Sequence, residues 1–136
     1  MTTTTGIDLL DVADVREALR VFGARYVQHI LTVREQSACT RRGVLRPELV
    51  AAAFAAKEAA IKTCGMDADS VNWLDVELTE EVSNRLNASF LRSASTSAGG
   101  RATATISISV ARTDSVVLAI AIAQGHPRDN EATGEK

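Results

Sequence analysis

The chain has 136 residues, 46% hydrophobic and 24% charged, with a formal net charge of -2. That length suits one globular domain with a modest core and argues against a second. The near-neutral balance gives no basic footprint for nucleic acid, and no apolar run approaches the roughly 18 residues that a membrane span requires. Met1 is followed by TTTT rather than by the charged and apolar regions of a secretory signal, so the expected compartment is the cytoplasm. Cys39 and Cys64 lack ligand-like spacing and read as buried small residues, not as a zinc or disulfide framework.

In chain order, TGIDLLDV at 5 to 12 predicts a short, mostly apolar first strand. Asp11 or Asp14 then offers a cap for a helix through VREALRVF, which Gly23 can stop. Thr32-Val33-Arg34-Glu35 has the form of a capping box, predicting a short helix to about Cys39. TRRGVLRP breaks the chain, and Pro47 and Gly65 bracket the longest helix, roughly 47 to 64, rich in alanine. MDADSVN is a polar connection, and WLDVELT alternates as a half-buried strand would. Residues 80 to 94 carry a weaker helical pattern, and STSAGG reads as a flexible turn. ATATISISVA alternates Ala104, Ile106, Ile108 and Val110 against Thr103, Thr105, Ser107 and Ser109. It should pair as a hairpin with SVVLAIAIA, whose Val117, Ala119, Ala121 and Ala123 face suits a closely packed alanine-rich helix. The expected fold class is α+β, a single domain over 1 to 124 with the long helix on a small, mainly antiparallel sheet. Residues 125 to 136 read as a disordered tail.

The charges inside FAAKEAAIK, residues 54 to 62, need an explanation. On helical spacing Phe54, Glu58, Ile61 and Lys62 share a side, whereas Lys57 points elsewhere and reads as supporting or surface. An exposed Glu58–Lys62 pair is an ordinary helix feature of about 0.3 to 0.5 kcal/mol. Asp8, however, stands between Ile7 and Leu9 in an apolar strand, where a carboxylate needs a charged partner or a cation. Two carboxylates on separate elements, with positions open to water and phosphate, match the way magnesium is held in phosphate-handling sites. Asp8 paired with a basic side chain in a purely structural role is the alternative.

GIDLLDV near the start, LTVRE at 31 to 35, FAAKEAAIKTCG at 54 to 65, WLDVEL at 73 to 78 and ISIS at 106 to 109 follow one another in a familiar order. In order and spacing they resemble the short phosphopantetheinyl transferases of the holo-acyl-carrier-protein synthase type, over residues 6 to about 123. The resemblance implies an α+β homotrimer with active sites between neighbouring subunits. It also implies transfer of the 4'-phosphopantetheine arm of coenzyme A to a serine of an acyl carrier protein, with release of 3',5'-ADP. By the same resemblance Asp8 and Glu58 match the positions that hold Mg2+, Glu58 is the candidate acceptor of the serine proton, and Lys62 matches the lysine that steadies the phosphates.

The chain departs from that pattern at three places. The family's arginine before the F-A-A-K-E segment is Ala53, its histidine on the penultimate strand is Val110, and a basic position early in the first helix is Asp14. Losing an ionised phosphate partner forfeits about 1.5 to 3 kcal/mol. Arg41, Arg42 and Arg46, with Ser107 and Ser109, are the candidate replacements toward phosphate, and Arg16, Arg20 and Arg25 offer a basic surface to a carrier protein. Each is weighed against ordinary solvated surface. The alternative to a transferase is a relative that has lost coenzyme A transfer and binds or acts on a carrier-bound intermediate. Asp8, Glu58 and Lys62 favour the first reading; Ala53, Val110 and Asp14 favour the second.

Overall fold

The computed structural model describes residues 2–65, 68–82, 85–90 and 106–125. The β-branched threonines extend the first strand, β1, to Thr2–Asp11. Helix α1, Val12–Phe22, begins at once; Asp11 is its N-cap residue, but its side chain caps nothing. Gly23, at φ 59°, turns the chain directly into a helix that the sequence did not announce, α2, Ala24–Ile30. The capping box is present in both halves: Glu35 N donates to Thr32 Oγ1 and Thr32 N to Glu35 Oε2, opening α3, Val33–Ala38. The TRRGVL break is a miniature hairpin of β2, Thr40–Arg41, and β3, Val44–Leu45. Arg42 and Gly43 both have positive φ there, as a two-residue I′ turn requires.

Helix α4 spans Pro47–Thr63, with proline in its first turn and Gly65 at φ 67° beyond its end. The expected strand at WLDVELT opens instead with a 3₁₀ turn, Trp73–Asp75, because the Asn72 side chain accepts from Leu74 N. β4 then runs Val76–Val82 and β5 Arg85–Phe90. The helical pattern read over 80 to 94 is therefore corrected for its described residues, 80–82 and 85–90; 83, 84 and 91–94 lie outside them. Glu80 lies opposite Leu86, and Leu86 and Ala88 lie opposite Ile108 and Ile106 of the next strand. Sheet pairing outweighs the helix propensity of Glu, Leu and Arg. β6, Ile106–Arg112, and β7, Val116–Gly125, form the expected hairpin. Residues 91 to 105, which hold STSAGG and Thr103, Ala104 and Thr105, lie outside the described residues. So does the expected tail beyond Gly125, itself the last residue of β7.

The sheet is antiparallel in the order β1-β7-β6-β5-β4. α4 covers one face, alanine against alanine: Ala55, Ala56, Ala59 and Ala60 of the helix and Ala119 and Ala121 of β7 are wholly inaccessible. The other face carries exposed Ile7, Leu9, Ile120 and Ile122, with Ser107 and Ser109 beside them. No described helix is long and apolar enough to cross a membrane.

α4 is held from its other side by a charge. Lys57, read from spacing as supporting or surface, is fully buried, because alanines surround it and the helix has no solvated face there. Its Nζ lies 2.6 Å from Glu35 Oε2 and donates to Ile30 O at 2.7 Å and Trp73 O at 2.9 Å. Glu35 Oε1 in turn accepts from Leu78 N. One ammonium thereby links α4, the end of α2, the cap of α3 and the turn entering β4. Burial pulls the Lys57 pKa down, and Glu35 opposes that shift. Lys57→Met should lose about 3 to 5 kcal/mol by stranding the Glu35 carboxylate. Lys57→Met combined with Glu35→Gln should lose less, since a neutral amide oxygen still accepts from an amide; urea unfolding of the variants measures the difference.

Candidate active site

Period two sends Gly6 and Asp8 of β1 toward α4, while Ile7 and Leu9 point away. Asp8 is only 8% exposed. Its Oδ1 lies 3.4 Å from Lys62 Nζ, which also donates to Ile7 O at 2.9 Å. Its Oδ2 is buried with no hydrogen-bond partner. Glu58, one turn before Lys62, stands beside Asp8. Burial first, then the Asp8 charge, raises the Glu58 pKa above its ordinary 4.5, while Lys62 pulls it down.

Two carboxylates facing one lysine leave an excess negative charge and one orphaned oxygen. That donor set fits a hard divalent cation taking one oxygen from each carboxylate and its remaining positions from water and phosphate. Among the described residues there is no cluster of three or more metal-ligating side chains, so the protein would supply only part of the shell. The structure thus brings Asp8, Glu58 and Lys62 together.

The remaining candidates lie elsewhere. Ser107 and Ser109 are exposed on the sheet face away from α4. Arg42 occupies the β2–β3 turn, and Arg46 is the N-cap residue of α4, its Nε 3.3 Å from Glu48. Arg20 is paired with Glu17 at 2.6 Å, and Arg16 and Arg25 are exposed. Arg41 lines a cavity of about 490 Å³ whose apolar wall includes Ala53, Leu78, Leu86 and Val110. Arg34 and Arg112 also line it; Arg34 is held by Glu77 at 2.9 Å. This cavity uses the first half of α4 and strands β4 to β6, whereas the carboxylates use the second half of α4 and β1. Sequence reasoning missed Arg112, which stands just before the β6–β7 turn with no periodic pattern to mark it. It also missed the burial of Lys57, for which alanines on both flanks were the available signal.

A family model described as the 4'-phosphopantetheinyl transferase superfamily matches residues 4–121. The holo-[acyl-carrier-protein] synthase of Desulforudis audaxviator is 32% identical over 120 residues, covering 88% of this chain and 91% of that protein. That of Chloroflexus aurantiacus is 29% identical over 130 residues, covering 87% and 95%. The Paramagnetospirillum magneticum synthase is 36% identical over 81 residues, a match spanning 59% of this chain and 60% of that protein. Among solved structures, an ACPS–CoA complex from Chronobacterium ammoniagenes superposes with a TM-score of 0.73 at 19% identity, over 93% of this chain and all of that one. The Bacillus anthracis synthase gives 0.69 at 20% identity over 90% and 96%. At such identities the structural likeness speaks to the fold.

Glu58 supplies a pH signature. A carboxylate whose folded pKa is raised binds its proton more tightly when folded, so its contribution to stability is greatest in acid. That contribution declines as pH rises from 4.5 through the raised value. Glu58→Gln should remove the decline and raise the melting temperature at pH 7 in chelator, and the wild type should gain stability on adding Mg2+ where the variant does not. Melting curves from pH 4 to 8 measure both.

Proposed function

The chain belongs to the 4'-phosphopantetheinyl transferase superfamily, and from that premise we propose that Asp8, Glu58 and Lys62 transfer the phosphopantetheine arm of coenzyme A to an acyl carrier protein. The observation that carries the reading is the buried, unpartnered Oδ2 of Asp8 beside Glu58. Asp8 and Glu58 would hold Mg2+, which would supply charge neutralisation at the pyrophosphate. Glu58 accepts the proton of the carrier serine as the serine Oγ attacks phosphorus. The P–O bond to the nucleotide breaks, and 3',5'-ADP departs with the electron pair. Lys62, exposed enough to swing from the Ile7 carbonyl, offsets charge on the departing phosphates.

The basic groups that the family carries at Ala53 and Val110 are absent, and both positions are in the apolar wall of the 490 Å³ cavity. Arg112, and Arg41 if its Nη1 turns from the Ala38 and Thr40 carbonyls to which it donates, are the guanidinium groups on that cavity that can meet a nucleotide phosphate, whereas Arg34 is engaged by Glu77. Arg42, Arg46, Ser107 and Ser109 remain secondary candidates. Because the cavity and the carboxylates share no residue, the reading includes a homotrimer in which one subunit's cavity completes its neighbour's carboxylate site. The uncovered apolar sheet face at Ile7, Leu9, Ile120 and Ile122 supports such burial. The compartment proposed is the cytoplasm.

Intact mass of apo acyl carrier proteins incubated with the protein and coenzyme A tests the reaction. One phosphopantetheine arm should be gained with Mg2+, none without it, and none with Glu58→Ala, which should stay folded. No gain and no coenzyme A binding would favour a relative that has kept the fold for a carrier-bound intermediate. Subunit sharing predicts that Glu58→Ala and Arg112→Ala, each impaired alone, regain transfer when coexpressed in mixed trimers. Activity no greater than the sum of the separate variants would mean that each subunit works by itself.

A further inference from the structure

We propose that Gly6 is a positioning residue: the missing side chain at Gly6 sets the separation of β1 and α4 at which Asp8 and Glu58 share one cation. This rests on the metal reading above. A Cβ built on Gly6 would meet the Ala59 carbonyl oxygen at 2.1 Å, the Ala59 carbonyl carbon at 3.1 Å and Lys62 Cβ at 3.0 Å. The nearest obstacle is helix backbone, which cannot rotate aside as a side chain can. Gly6 lies outside the left-handed region, so close approach, not conformational freedom, explains the glycine.

The contact sits inside the site. Gly6 and Asp8 point to the same face of β1, and the helix residues that Gly6 touches, Ala59 and Lys62, follow Glu58 by one position and by one turn. Opposite them on β7 stand Ala121 and Ala119, both fully buried, so the strand has no larger neighbour holding it off the helix. Contacts of a Cβ under 3.0 Å essentially never occur, so an added methyl would force β1 and α4 apart by about an ångström. Asp8 travels with the strand. A small octahedral cation with oxygen distances near 2.0–2.1 Å does not absorb a displacement of that size.

The decisive experiment titrates Mn2+, an oxygen-seeking stand-in for Mg2+, into metal-free full-length protein, with bound ion followed by electron paramagnetic resonance. Wild type should bind one ion per chain and Glu58→Ala none. Gly6→Ala should weaken binding roughly tenfold or more, because an ion that demands near-ideal octahedral geometry loses a ligand moved out of place. Asp8→Glu should also weaken it, since a side chain longer by about 1.5 Å does not fit the close spacing. The double variant Gly6→Ala, Asp8→Glu should recover affinity above either single change, because the longer side chain spans the widened gap. Val15→Ala, in the core of α1, should lower the melting temperature and leave Mn2+ affinity unchanged. Should Gly6→Ala not fold, Asp8→Glu alone decides. Wild type that binds no Mn2+ overturns the metal reading and this inference with it. Wild-type binding that persists within about twofold in Gly6→Ala or in Asp8→Glu overturns this inference alone.

Discussion

Everything in this molecule depends on how near α4 lies to the sheet. Helices usually stand off a sheet by the length of the side chains between them; here glycine and alanine occupy that layer, and the backbones come together. The gain is dispersion and exclusion of water over a long, flat contact, with little conformational entropy lost by the alanines. The short Asp8 side chain can then reach a helix that would otherwise be beyond it. Close packing is therefore the means by which two carboxylates on separate elements come to share a space.

Such a contact is smooth, and smooth contacts slide. The Lys57 ammonium opposes sliding: its partners come from α2, α3 and the turn before β4, and it tolerates one axial position of α4. Phe54, which helical spacing grouped with Glu58 and Lys62, instead packs on the Lys57 side, its ring stacked on Trp73 at 4.8 Å and on Tyr26 at 6.5 Å. The adjacent Lys57 and Glu58 thus divide two tasks, one fixing the helix and the other presenting chemistry. Buried polar networks that are fully satisfied specify a single arrangement in this way.

Much of this was legible in the sequence because the signals were local. The capping box at Thr32 and Glu35, the bracket of Pro47 and Gly65, and the alternation of β6 and β7 each report on their own neighbours. The acid pair was legible for a different reason, since a carboxylate between Ile7 and Leu9 conflicts with its strand, and such conflicts cluster at sites. What the sequence concealed depends on distant partners. β5 carries helix-forming residues and becomes a strand only because β4 and β6 flank it. Lys57 looks like any helix lysine until Glu35 and two carbonyls are found around it. Arg112 joins Arg41 on one cavity through a fold that brings β6 beside α3 and α4.

The pairing of β1 with β7 has a temporal consequence. Thr2 lies opposite Gly125 and Asp8 opposite Ala119, so the strand made first is held in the sheet by the strand made last among those described. On the ribosome, Asp8 has no sheet partner until β7 has emerged, although α4 can already be helical. Contacts of such sequence separation slow folding, and they fall within the stage when nascent apolar strands are most exposed. Residue 8 gains its sheet partner only once β7 has been made, and a chain stopped before Val116 lacks the strand that holds Asp8 opposite the helix.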